Sequence, residues 1–126
     1  MDVLSSRVLL RPTDPARTRA FYGETLGLAV HREFGQPEHR GVVYFLGGGL
    51  LEVSGEAVEP PRGLALWLQV RDVAARRACS AAGVPIVRAA REEPWGLVEA
   101  WVEDPDGVRI VLVEVPPDHP LRLDRR

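Results

Sequence analysis

The chain has 126 residues, a formal net charge of −2 and 45% hydrophobic residues, which suits one domain with a modest core or two half-size modules that share one. All 16 basic residues are arginine, so no side-chain amine can form a Schiff base, and their scattered positions argue against a nucleic-acid partner. We expect neither a membrane span nor a signal peptide. The lone cysteine, Cys79, excludes an internal disulfide and fits a cytoplasmic protein.

The first half of the chain begins with a predicted strand and a predicted helix. The strand is Val8–Arg11, and Asp14 is the expected N-cap of a helix that ends before Gly27. Phe21 and Tyr22 are expected to be core and flank residues of that helix rather than ligand contacts. These elements open a βαβββ unit.

Three further strands are predicted in this half. Ala29–Phe34 should lie at the edge of the sheet. Val42–Leu46 and Leu50–Ser54 alternate as strands do, and the glycines between them, Gly47–Gly49, predict a three-residue hairpin loop.

The second half repeats this plan after the polar, proline-containing linker 56–62. Leu64–Val70 is a predicted strand, Asp72 is the expected N-cap, and the helix should end before Gly83. The two caps lie 58 residues apart and the two helix-ending glycines 56 apart. This near-constant offset indicates a duplication.

The hairpin near the C-terminus fixes which side chains share a face. Pro105 presets one turn dihedral and Gly107 tolerates a positive φ, so Leu97–Glu103 and Val108–Val115 should pair antiparallel. The prolines of the tail, residues 116–126, could make it extended, either disordered or laid across a partner subunit.

The predicted fold class is α+β. Tandem βαβββ modules, residues 5–57 and 63–115, should form a curled mixed sheet around a cleft, with the helices outside. A ferredoxin-like sandwich without a cleft is the alternative. Alternation in the first strand of the second module places Trp67 and Gln69 on the face opposite its aliphatic side chains, and Trp101 should share a face with Glu99.

The tandem plan, the segment AFYGETLGL at 20–28, and EPWG followed by EDPDGVRIVLVE resemble the vicinal oxygen chelate superfamily of glyoxalases, extradiol dioxygenases and bleomycin-resistance proteins. Within it, GLALWLQV and EEPWGLVEAWVEDPDG look most like the antibiotic-binding branch. The resemblance implies a ligand cleft and a homodimer.

The resemblance also implies four metal-ligand positions, which fall on Arg7, Glu52, Ala65 and Val111. Only Glu52 can bind a divalent ion, because arginine is a permanent cation and Ala and Val offer no donor atom. We therefore expect no metal and no other cofactor. Arg7 should pair with Glu52, either as a polar floor that contacts a ligand or as a satisfied buried ion pair.

Three tryptophans are candidates for stacking on a planar ligand. Trp67 and Trp101 lie on predicted strands and Trp95 in the loop before one, although packing or dimer-interface roles are the alternative. Strand 29–34 could bring His31 or Arg32 to the cleft mouth. The full set of expected ligand contacts is Arg7, His31, Glu52, Trp67, Gln69, Trp95, Glu99, Trp101 and Val111.

These residues favour a metal-independent protein that binds a planar or hydrophobic antibiotic or metabolite, as a homodimer, with neither a nucleic acid nor a membrane as partner. The competing hypothesis is a glyoxalase-like lyase, isomerase or dioxygenase that uses Glu52 as a base or metal ligand. A third possibility is an interaction module whose cleft is filled by Trp67 and Trp101.

Overall fold

The computed structural model describes residues 1–71 and 86–121. These residues form two compact units. The first comprises Met1–Gly63 together with Asp104–Gly107, and the second comprises the described parts of Leu64–Glu103 and Val108–Arg126. In the described residues, no helix is long and apolar enough to cross a membrane.

The first unit contains one α-helix and four strands among its described residues. They are β1 (Arg7–Leu10), α1 (Pro15–Ala20), β2 (Val30–Phe34), β3 (Gly41–Leu46) and β4 (Gly49–Val53). Asp14 caps α1 as predicted, because its carboxylate accepts a hydrogen bond from the Arg17 amide at 3.2 Å. A π-helical turn over Phe21–Thr25 continues α1, and the chain leaves it through Gly27, whose φ is +70°.

The four strands of this unit form a mixed sheet in the order β1-β4-β3-β2, so β2 lies at an edge as predicted. β1 is parallel to β4, and the other pairs are antiparallel. The β3–β4 loop differs from the sequence prediction: Leu46 pairs with Gly49, which leaves a two-residue loop rather than three glycines.

The second unit contains four described strands. They are β5 (Ala65–Val70), β6 (Ile86–Glu92), β7 (Val98–Glu103) and β8 (Arg109–Glu114). Their order, β5-β8-β7-β6, repeats that of the first sheet, again with one parallel pair, β5 with β8. The α+β fold with tandem mixed sheets is thus confirmed. The predicted cap Asp72, its helix and Cys79 lie outside the described residues.

Aromatic side chains lie in the core of the first unit. Tyr22 is fully buried and Phe21 nearly so, with their rings in edge-to-face contact at 5.0 Å, which confirms their predicted core position. The Tyr22 hydroxyl donates to Asp104 Oδ2 at 2.8 Å. Burial, followed by the nearby Asp104, raises the Tyr22 pKa, so the hydroxyl remains a donor.

The turn 104–107 joins β7 to β8 as predicted. The Gly107 amide donates to the Asp104 carbonyl at 2.9 Å, and Gly107 has a φ of +83°. Asp106 accepts hydrogen bonds from the Thr13 amide, at 2.9 Å, and from the Thr13 hydroxyl. Asp104 and Asp106 therefore hydrogen-bond to Tyr22 and Thr13, and all four residues belong to the first unit.

The described part of the tail, up to residue 121, forms a turn rather than an extended segment. The His119 amide donates to the Pro116 carbonyl at 3.1 Å, which closes a turn. Pro117 occupies the second position of this turn, where the fixed φ of proline is favourable.

Candidate functional site

The strand register of the second unit places the predicted residues on one sheet face. Trp67 on β5 is paired with Val111 on β8, which is paired with Trp101 on β7. Directly paired residues point to the same side of a sheet. In the adjoining row, Gln69 and Glu99 flank Val113. The five expected ligand contacts of this unit that lie on strands thus share a face, here called the tryptophan face.

The opposite face of this sheet belongs to the core. Its side chains are almost fully buried: Leu66, Ala100, Val102, Ile110 and Leu112. Burial of these apolar side chains fixes the strand register, because a slip of one residue would move every side chain of a strand to the other face. The residues of the tryptophan face are fixed with it.

The two indoles of the tryptophan face differ in what covers them. Trp67 is 50% exposed. The Trp101 ring instead makes cation–π contacts with two guanidinium groups: Arg88 Cζ lies 3.8 Å and Arg109 Cζ 4.5 Å from the ring centroid. Trp67 therefore offers the more open aromatic surface.

The loop before β7 contacts the tryptophan face through Trp95. Trp95 Nε1 donates to Glu99 Oε2 at 2.8 Å. Glu93, only 4% exposed, accepts hydrogen bonds from Arg88 and, at 3.2 Å, from Arg91. The buried carboxylates are thus paired, as burial of charge requires.

The tail is fastened to this loop by His119. Its Nε2 lies 3.0 Å from the Trp95 carbonyl oxygen, and its Nδ1 accepts the Leu121 amide at 3.2 Å. Since Nδ1 accepts, Nε2 carries the proton and donates to the Trp95 carbonyl. Sequence reasoning left His119 out of the site because only the fold shows that it lies against Trp95.

In the first unit, Arg7 and Glu52 lie together as predicted. Arg7 Nη1 is 2.8 Å from Glu52 Oε1, and Ser54 Oγ donates to Glu52 Oε2 at 2.6 Å. The hydrogen bond from Ser54, followed by that from Arg7, lowers the Glu52 pKa. Glu52 is therefore a weak base. The side chains of Arg7 and Glu52 are 35% and 15% exposed, so the pair is not the fully buried one considered above.

His31 lies at an irregularity of β2, between Val30 and Arg32. Its ring makes an edge contact with the half-exposed Phe45, with centroids 5.0 Å apart. Phe45 is paired with Leu50, and Leu50 with Arg7, so Phe45 lies on the same sheet face as Arg7.

The residues at the implied metal positions do not fit a metal. Arg7 pairs with Glu52. In the second unit, the corresponding positions hold Ala65 and Val111, whose side chains contain no donor atom. Across residues 1–71 and 86–121, no three His, Cys, Asp or Glu side chains are grouped as a metal site would need.

A family model described as "Glyoxalase/Bleomycin resistance protein/Dioxygenase superfamily" matches residues 5–112, and the chain belongs to that superfamily. No curated protein matches its sequence.

Solved structures share the fold. A glyoxalase-related enzyme from Fulvimarina pelagi is 27% identical, covering 92% of this chain and 90% of its own, with a TM-score of 0.72. A superfamily member from Sphaerobacter thermophilus DSM 20745 is 24% identical, covering 90% and 98%, with a TM-score of 0.71. TnmS3, an antibiotic binding protein from Streptomyces sp. CB03234, is 22% identical, covering 91% and 98%, with a TM-score of 0.76.

Proposed function

We propose that this chain is a metal-independent binding protein for a planar or hydrophobic small molecule, such as an antibiotic or metabolite, and that the ligand stacks on Trp67. The observation that carries the proposal is the half-exposed Trp67 ring, which lies in register with Val111 and Trp101 on the sheet face opposite Leu66, Ile110 and Leu112. Exposed indoles on a sheet face provide large contact area for planar ligands. The printed description of TnmS3 as an antibiotic binding protein supports the same class of function.

Metal independence is supported by the side chains at the implied ligand positions. Arg7 supplies a positive charge beside Glu52, and Ala65 and Val111 have no atom that could bind a metal. We propose that the protein acts in the cytoplasm as a homodimer.

Two features weigh against acid–base catalysis by Glu52. Its pKa is lowered by Ser54 and Arg7, and its carboxylate is already engaged by both. A general base works best when its pKa lies near the working pH, so these contacts disfavour proton abstraction.

The test begins with a thermal-shift panel of aromatic antibiotics and metabolites on purified protein, because a ligand that binds the folded state raises the melting temperature. Affinity for each hit is then measured by calorimetry for the wild type, Trp67→Ala and Trp67→Phe. We expect Trp67→Ala to weaken binding by about 1 to 3 kcal/mol and Trp67→Phe to retain most of the affinity.

Val58→Ala is the matched control, because Val58 is an exposed apolar side chain of the linker, outside both sheets. Unchanged affinity in Trp67→Ala would refute stacking on Trp67. Elemental analysis of the same preparation tests metal independence, and nearly stoichiometric zinc, nickel, iron or manganese that a chelator removes would contradict it.

A further inference from the structure

Arg109 lies beside the proposed stacking surface. It is paired with Ala65 on one side and with Glu103 on the other, in the row next to Trp67, Val111 and Trp101. Two residues along a strand span roughly 7 Å, so Arg109 and Val111 are neighbours on the same face of β8. The guanidinium lies over the Trp101 ring, so an aromatic ligand that lies on Trp67 and extends over Val111 would bring a substituent toward it.

The two guanidinium groups on Trp101 differ in how their charges are balanced. Arg88 contacts Glu93 and lies 4.0 Å from Glu99, and both of these carboxylates are buried. Arg109 is exposed, and its side chain has no carboxylate within 4.0 Å in the part of the chain that the structure describes. Among the described residues, Arg109 thus presents a charge that no carboxylate pairs.

The neighbours of Arg109 on the sheet position its guanidinium. Contact with the Trp101 ring holds the guanidinium in place, so less side-chain freedom is lost when a ligand binds. On the β5 side its neighbour is Ala65, which is exposed and has only a methyl group. Glu103 lies on the β7 side, away from Trp67. The guanidinium is therefore positioned for a ligand that lies on Trp67 and extends over Val111 toward Trp101.

We infer that the ligand carries an anionic group, a carboxylate or similar oxyanion, which pairs with Arg109 while its aromatic ring stacks on Trp67. This inference rests on the proposed function. A planar guanidinium fork binds carboxylates through two parallel hydrogen bonds, and such charge-assisted bonds are shorter and stronger than neutral ones. Arg109 would then select among aromatic ligands by charge.

The test uses three probes that share one ring system and differ in charge: naphthoate, naphthamide and naphthylmethylammonium. Calorimetry at neutral pH should show that the wild type prefers naphthoate to naphthamide by about tenfold or more. The preference should shrink at high salt, because screening weakens exposed charge pairs. Arg109→Gln should lose the preference but still bind naphthamide, and Arg109→Lys should retain part of it.

Two further variants separate the contribution of ring stacking to the affinity from the contribution of charge. Trp67→Ala should weaken naphthoate and naphthamide equally, since both present the same ring. Glu103→Gln should strengthen naphthoate alone, because it removes a negative charge beside Arg109.

Each remaining outcome overturns the inference in a recognisable way. Equal binding of all three probes, or preference for the ammonium probe, overturns it while leaving stacking on Trp67 intact. A naphthoate preference that persists in Arg109→Gln assigns the selectivity to another group. Binding of none of the probes also overturns it, and the proposed function then depends on the wider panel alone.

Discussion

Arg7 and Glu52 form an ion pair across parallel strands although they are not paired in the strand register. Glu52 is opposite Leu9 and Arg7 is opposite Leu50, so the 2.8 Å contact between Nη1 and Oε1 is diagonal. The length of the arginine side chain makes this reach possible. At two positions where the family resemblance implies metal ligands, the chain has instead its own cation and carboxylate.

This pair predicts an acid-sensitive contribution to stability. The Glu52 pKa is lowered in the folded protein, so the contribution is fully present above the ordinary glutamate pKa of about 4.3 and is lost as the pH falls through the lowered value. Glu52→Gln should reduce the free energy of unfolding by about 1 kcal/mol at neutral pH, because the pair is partly exposed. Chemical denaturation at neutral and acidic pH measures this difference.

The control is Glu56→Gln, which removes a charge of the same sign from the exposed linker. It should leave stability nearly unchanged at both pH values. A Glu52→Gln penalty that persists or grows in acid would contradict the assignment of its stabilising contacts to Ser54 and Arg7.

The buried hydroxyl of Tyr22 predicts a larger effect. Tyr22→Phe removes the donor to Asp104 Oδ2, so a buried carboxylate oxygen loses a hydrogen bond. The expected loss is about 1 to 3 kcal/mol in the free energy of unfolding. Tyr44→Phe is the matched control, because its hydroxyl donates to the Arg19 carbonyl over a longer 3.2 Å contact. Equal penalties in the two variants would argue against a special role for the contact with Asp104.

The tryptophan face could be predicted from the sequence because strict alternation and a turn of defined length leave little freedom. The turn at 104–107 fixes the pairing of Val111 with Trp101, and the aliphatic side of β5 fixes the direction of Trp67. Arg109 follows from the same logic, since it lies two residues before Val111. Its cation–π contact with Trp101 does not follow, because rotamers depend on neighbours that alternation cannot specify.

Features that depend on irregular backbone or distant contacts could not be predicted. β6 changes register on both sides of Arg88, so alternation along that strand does not show that Arg88 contacts Trp101. The contact of His119 with the Trp95 carbonyl likewise joins segments 24 residues apart. Three consecutive glycines predicted a longer loop because composition does not show where pairing ends.

The hydrogen bonds of His119 predict that this residue restrains the tail. His119→Ala removes its hydrogen bonds with the Trp95 carbonyl and the Leu121 amide, so the Leu121 amide should exchange its hydrogen faster. The loss of stability should be only about 0.5 to 1.5 kcal/mol per bond. Exchange measured by NMR tests the effect, with His39→Ala as the control at an exposed histidine. Unchanged exchange at Leu121 would show that His119 does not hold the tail.

The last prediction concerns assembly. β6 is an edge strand of the second sheet, and Ile86 and Val87 on it are 41% and 43% exposed. Exposed edges with apolar side chains favour association with another chain, and the family resemblance implies a homodimer. Light scattering at micromolar concentration should give twice the 13.9 kDa of one chain.

Val87→Glu should shift the mass toward that of the monomer if the β6 edge forms the interface, whereas Val58→Glu in the linker should leave the mass unchanged. A dimer that persists in Val87→Glu would move the interface to another surface, and a monomeric wild type would rule out the homodimer.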